Sequence, residues 1–200
     1  MLEKAGIPIF PYFSDEKVIF ESELKLIEKL QACKKCSGFV DNKQFPFLGS
    51  FDSEICFING VVPSDRTSLV GSGQIAEIFR QYLRVLGKEE DNVFVTNLVF
   101  CSGVRRLTEQ SFFNCLDFHN QVFSGLSKLK VVFSLGSMAF QLTGLAGRGS
   151  IWIGKYFEYK VRDRIIKFVP LNHPGEIVHK PEVWEIAQKV LVDVKAGLDL

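Results

Sequence analysis

The strongest constraint on this fold is an alternation. Short apolar runs at 54–59, 92–96, 129–135 and 165–171 are separated by helical stretches at 73–86, 108–123 and 137–142. Runs this short, rich in Ile, Val and Phe, read as buried parallel strands joined by helical crossovers. The expected fold class is α/β, a three-layer α/β/α sandwich around a central four-stranded parallel sheet. Within 73–86, Ile75, Ile78, Phe79, Tyr82 and Leu86 recur at helical spacing. A helix over 22–32 carries Leu24, Ile27 and Leu30 on one face, with Ser22 as a candidate cap. A last amphipathic helix is expected over 181–198, and a hairpin from 151–153 and 157–161.

With 200 residues, one domain over 1–200 is expected, its first 21 residues an irregular lead-in containing Pro8 and Pro11. No apolar run reaches the ~18 residues that span a bilayer, so no membrane association is expected. The opening Met1-Leu-Glu-Lys-Ala-Gly lacks the apolar core of a secretion signal, which leads to the expectation of a cytoplasmic protein. A reducing compartment argues against disulfides. Net charge is +1, from 24 basic and 23 acidic residues, so any nucleic-acid-binding field must be local.

Four of the five cysteines form a pattern: Cys33-Lys-Lys-Cys36, then Cys101 and Cys115. Two thiolates separated by two residues can hold one metal centre from a single turn. Four suit a 4Fe–4S cluster or a structural zinc. The flanking lysines would neutralise an anionic cluster. The plainer alternative is a set of reduced core thiols. Cys56, in the apolar run Ile55-Cys56-Phe57-Ile58, reads as core. Cys115 and His119 lie one helical turn apart, so a Cys/His zinc site is a further option.

In parallel sheets, ligands bind beyond the carboxyl ends of the strands. Reading off those ends gives a polar set. It comprises Asn59, Gly60, Pro63, Ser64 and Asp65 after the first strand, and Asn97 after the second. Gly136-Ser137 follows the third strand, and Asn172-His173-Pro174-Gly175 the fourth. Each is weak alone, since Gly, Pro and Asn are ordinary turn residues. Their convergence on one rim is the stronger signal.

At these positions the chain resembles the uracil-DNA glycosylase superfamily, in particular its iron–sulfur, family-four-type members, from about Leu30 to Val194. The cysteine order matches. Val95-Thr-Asn97-Leu-Val-Phe-Cys101 resembles the family stretch Ile-Thr-Asn-Val-Val-Lys-Cys. Val132-Phe-Ser-Leu-Gly136-Ser-Met-Ala139 resembles a strand ending in Leu-Gly-Ala-x-Ala. Arg148-Gly149 resembles an Arg-Gly pair before a hairpin, and His173-Pro174-Gly175 a His-Pro-Ser motif. The first motif departs from the pattern. Gly60-Val61-Val62-Pro63-Ser64 stands where the family reads Gly-Glu-Ala-Pro-Gly, so an apolar Val61 replaces a carboxylate that handles water. The following segment is compressed, and Leu69 occupies the place of a base-stacking phenylalanine.

The resemblance implies a monofunctional DNA glycosylase in base-excision repair, a hydrolase that flips a base out of DNA and removes it. Asn97 would read the base edge and His173 would stabilise the departing base. Asp65 would position water or stabilise the sugar cation. Gly60, Val61, Val62, Pro63 and Leu69 would line the base pocket. Gly136, Ser137, Arg105, Arg106, Arg148, Pro174 and Gly175 would contact DNA, with Ile177 or Val178 as an apolar wedge. Cys33, Cys36, Cys101 and Cys115 would hold a 4Fe–4S cluster, zinc being the alternative. The partner would be single- or double-stranded DNA and the protein a monomer. Two rivals are a family member that binds DNA without excision, for which Val61 and Leu69 argue, and an unrelated zinc-containing nucleotide-binding α/β protein. No Gly-x-Gly-x-x-Gly or Walker loop follows the first strand, which weighs against the latter.

Overall fold

In the computed structural model, residues 2–4, 21–36, 47–61, 70–101, 108–139, 149–161 and 164–198 are described. Four parallel strands form the centre, in the order β7 (Arg164–Leu171), β5 (Val131–Leu135), β3 (Ile55–Val61), β4 (Phe94–Val99). Every residue of β4 and β5 is buried, as are all but the last of β3. A strand covered on both faces needs apolar residues at successive positions, which explains the unbroken apolar runs.

Among the described residues, three further strands extend the expected four to a seven-stranded sheet. β1 (Glu3–Lys4) and β6 (Lys155–Val161) lie beyond β7, and β2 (Phe47–Leu48) lies beyond β4. The hairpin is displaced from its expected place. β6 runs antiparallel to β7, with Phe157 opposite Phe168, while Gly149–Trp152 forms a short 3-10 turn. β2 pairs antiparallel with β4, and Phe47 stacks on Phe94 at 5.2 Å.

Helix α1 (Glu23–Ala32) begins where Ser22 accepts a bond from the Lys25 amide. Helix α3 (Glu109–Gly125) starts with a Thr108–Ser111 capping box. These two pack together on one face of the sheet. Helix α2 (Gln74–Leu86) packs with α5 (Pro174–His179) and α6 (Trp184–Leu198) on the other. Phe79 of α2 meets Phe57 of β3 edge to face at 5.1 Å, and Phe57 stacks on Phe133 of β5. Helix α4 covers Gly136–Ala139; positions 140–142 of the expected helix lie outside the described residues. The stretch expected as one helix over 181–198 opens with a 3-10 turn, Pro181–Val183.

At the amino ends of the strands, Glu54 bridges Lys130 at 2.6 Å and Lys88 at 3.5 Å. The two lysines hold its carboxyl below the usual range, the Lys130 bond being the larger cause. Along α2, Glu77 binds both Arg80 and Arg84. Among the described residues, no helix is long and apolar enough to cross a membrane.

Candidate active site and cysteine centre

Strands β3 and β4 run in parallel register, with Asn59 beside Asn97. The period-two alternation of a strand puts both on the face that carries Phe57 and Val95, toward α2. The two amides are 6% and 0% exposed. Strand β4 continues past Thr96 to Val99, so Asn97 lies within the strand rather than after it. Asn59 likewise lies inside β3. Its Oδ1 accepts from the Gly60 amide at 2.8 Å and its Nδ2 donates to the Val61 carbonyl at 3.3 Å. The buried side chain thereby meets its hydrogen-bonding needs and fixes the Gly60–Val61 backbone. That role was not legible in the sequence, where an Asn beside a Gly reads as a turn.

Two strands away from β3, β7 delivers His173. It caps α5, and its Nδ1 accepts the Gly175 amide at 2.9 Å. In the neutral ring an accepting Nδ1 places the proton on Nε2. Burial holds the imidazole below its ordinary pKa, with the Glu176 carboxylate pulling the other way. The turn is braced from behind. Asn172 donates through Nδ2 to Glu176 at 3.1 Å, and its carbonyl accepts the Tyr82 hydroxyl at 2.8 Å. Among the described residues the Asn172 Oδ1 is buried without a partner. Tyr82 is fully buried and stacks on Trp184 at 5.9 Å; burial and Glu176 push its pKa up.

Two glycines allow this close approach. Gly136, at the end of β5, has φ +76°, and a Cβ there would lie 3.0 Å from the His173 Cβ. A Cβ at Gly175 would lie 3.0 Å from His173 Nδ1. Either substitution would move the imidazole. Three strand spacings separate β7 from β4, about 14 Å of sheet. A cavity of about 350 Å³ opens on the same face, lined by Gly71, Ser72, Phe79, Arg80 and Val95 among others. Val95 is two residues from Asn97, on the same side of β4.

Of the other expected site residues, Gly60 is buried, Val61 half-buried and Ser137 exposed. Val62, Pro63, Asp65, Leu69, Arg105, Arg106 and Arg148 lie outside the described residues. The wedge expectation needs correction. Residues 174–179 form helix α5 rather than a loop, and Ile177 is 4% exposed. Its side chain faces the core because α5 docks on α2, so it is not offered to a partner. Pro174 is buried in the first helical turn, and Val178 is half-buried.

The four patterned cysteines converge between α1, the end of β4 and α3. Cys101 and Cys115 are buried, Cys33 and Cys36 half-buried. Asn114 donates to the Lys35 carbonyl at 3.0 Å and to Cys36 Sγ at 3.5 Å, fastening the 33–36 turn to α3. Lys35 reaches Asp117 at 3.3 Å and lies over the Phe118 ring. Burial pushes the Cys101 thiol up to about 11, helped by the nearby Cys36 and Cys33 and by a bond with Cys36. Burial pushes Cys115 up to about 12; the Phe100 amide bonded to it pulls down, and the other three thiols push up. Four sulfurs within electrostatic reach of one another are a donor set suited to a cationic centre, whose charge relieves this repulsion. Among the described residues, though, no three Cys, His, Asp or Glu side chains stand in a closed coordination shell. Cys56 is fully buried and burial pushes its thiol far up, as a core residue.

No family model matches the chain. It is 25% identical over 183 residues to a protein named type-4 uracil-DNA glycosylase from Sulfurisphaera tokodaii, covering 82% of this chain and 80% of the relative. It is 23% identical over 176 residues to a type-4 uracil-DNA glycosylase from Archaeoglobus fulgidus, covering 82% and 87%. Likeness along most of all three chains, on an α/β fold with a mostly parallel sheet, supports a place in the uracil-DNA glycosylase superfamily.

Proposed function

We propose that this chain is a monofunctional DNA glycosylase that flips uracil or another modified base out of DNA and hydrolyses its N-glycosidic bond. The observation that carries this reading is the neutral His173, its Nε2 proton free of the Gly175 bond, on the rim that also bears the paired Asn59 and Asn97.

A base inside a duplex is out of reach, so the nucleotide must leave the stack. The Asn97 amide carries a donor and an acceptor, the complement of the uracil O4 and N3–H edge. Breaking the C1′–N bond leaves the electron pair on the base. A neutral imidazole donating from Nε2 to a base oxygen stabilises that charge as it forms. The Gly60 amide is taken by Asn59 Oδ1, so any backbone donors that add to this task come from the residues after it. Water supplies hydroxyl to C1′ and a proton to the base, leaving an abasic site. Val61 has no group to orient that water, and we assign the role to Asp65. No lysine follows a strand end in the sequence where it could form a Schiff base, hence a monofunctional enzyme.

Cys33, Cys36, Cys101 and Cys115 would hold a 4Fe–4S cluster, with zinc as the alternative. Bound there, the group ties the 33–36 turn to the segment carrying Arg105 and Arg106. Those arginines, with Arg148, Gly136 and Ser137, would contact phosphates as the monomer binds DNA.

The test is an excision assay on single- and double-stranded oligonucleotides bearing uracil, hypoxanthine or modified cytosines, read by alkaline cleavage. Cleavage that drops about 100-fold or more in His173→Ala, with DNA binding retained, supports the reading. The visible spectrum and metal content of the same sample separate cluster from zinc. The second reading, a DNA-binding protein without excision, is favoured by Val61 in place of a carboxylate. DNA binding with no base released across the panel would move the conclusion to it.

A further inference from the structure

His119 takes no part in the chemistry above, yet it is fully buried on α3. Its Nε2 lies 2.8 Å from the Leu98 carbonyl oxygen. A carbonyl only accepts, so Nε2 carries the proton and donates. That leaves Nδ1 a bare lone pair, buried without a partner among the described residues. An unsatisfied buried acceptor carries an uncompensated desolvation cost. The ring packs among aromatics, 4.8 Å from Phe100 and 6.3 Å from Phe123. A leucine or phenylalanine would fill that space without the cost. What the imidazole adds is the bond to Leu98.

One turn earlier on the same helix, Cys115 accepts the Phe100 backbone amide. Four helical residues rise about 6 Å and two strand residues about 6.6 Å, so the two contacts match in height. Helix α3 thus grips the end of β4 at Leu98 and Phe100. Asn97 directly precedes the gripped segment and Cys101 directly follows it.

We infer that His119 is a positioning residue: its bond to Leu98 fixes the end of β4 against α3, sets Asn97 at the height where its amide meets the flipped base, and joins that height to the cysteine centre through Cys115. The functional half of this inference rests on the glycosylase reading; the structural half does not.

Both halves are testable in the full chain with two variants. His119→Leu keeps the volume and loses the donor. His119→Gln keeps a donor. Hydrogen exchange at the amides of Asn97 to Phe100 needs no substrate. It should be at least about tenfold faster in His119→Leu and near wild type in His119→Gln. Single-turnover excision of whichever base the wild type removes should fall about tenfold or more in the leucine variant. Its affinity for abasic-site DNA should stay within about twofold, and glutamine should restore most of the rate. Unchanged exchange in His119→Leu, or a glutamine variant as impaired as the leucine one, would overturn the inference. If the leucine variant does not fold, His119→Phe is measured in its place. If the wild type excises nothing, the glycosylase reading fails, and the exchange data alone decide whether the grip exists.

Discussion

His119 and His173 sit on opposite faces of the sheet, and burial holds both imidazoles below their ordinary pKa. Each spends one ring nitrogen on a backbone group, but not the same one. His119 donates from Nε2 to a carbonyl and keeps a sealed lone pair. His173 accepts at Nδ1 from an amide, which leaves its Nε2 proton available at the rim. The same residue type donates to the backbone in one place and accepts from it in the other. The backbone partner decides the tautomer, and the tautomer decides what remains to be offered.

Acid should break this comparison most strongly, on the His119 side. In the unfolded chain the imidazole binds a proton near pH ~6.5, whereas in the fold it does so only at about 4. The folded state resists that proton, so the stability His119 contributes is full above pH ~6.5 and declines as the pH falls toward 4. The loss amounts to about 3 kcal/mol. Denaturant unfolding at both ends of that window should show it in the wild type and not in His119→Leu. Equal losses in the two proteins would refute the buried neutral state.

On the His173 side, Tyr82→Phe removes the hydroxyl that holds the Asn172 carbonyl. A loss of about 1 kcal/mol is expected from thermal or denaturant unfolding. No loss would mean that the turn bearing His173 is held by Glu176 and the α5 cap alone. The smallest effect sharpens the comparison. Glu176 raises the His173 pKa against the larger effect of burial. Glu176→Gln should therefore move the acidic limb of the proposed excision profile to lower pH. A shift to higher pH would reverse the sign of the Glu176 contribution.

Much of the fold could be read from the chain because the signals were local. Ser22 caps α1 as its position suggested. The four central strands announced themselves through apolar runs that only a twice-covered sheet needs. What escaped was decided by partners far away in sequence. Phe47–Leu48 becomes a strand because β4 offers an edge and Phe94 a ring to stack on. Ile177 looks like a loop residue until α5 docks on α2 and turns it inward. Asn97 was identified as a residue of interest from its place near a strand end, yet the parallel ladder with β3 carries the strand past it. The bracing of His173 by Tyr82 and Asn172, residues 90 apart in the chain, leaves no pattern that periodicity can detect.

The two ends of the sheet also differ in what holds them. Glu54, with its two lysines, ties the amino ends by charge, while at the carboxyl ends the Asn172–His173 turn is held by the Tyr82 hydroxyl on the Asn172 carbonyl, by the Gly175 amide on His173 and by glycine contacts. Salt screens exposed ion pairs and leaves such buried neutral bonds nearly untouched. On the proposed function, a titration of DNA affinity against ionic strength would then report counterions released from phosphate, without the His173 turn itself loosening along the way. The slope could be read as a phosphate count for the bound footprint.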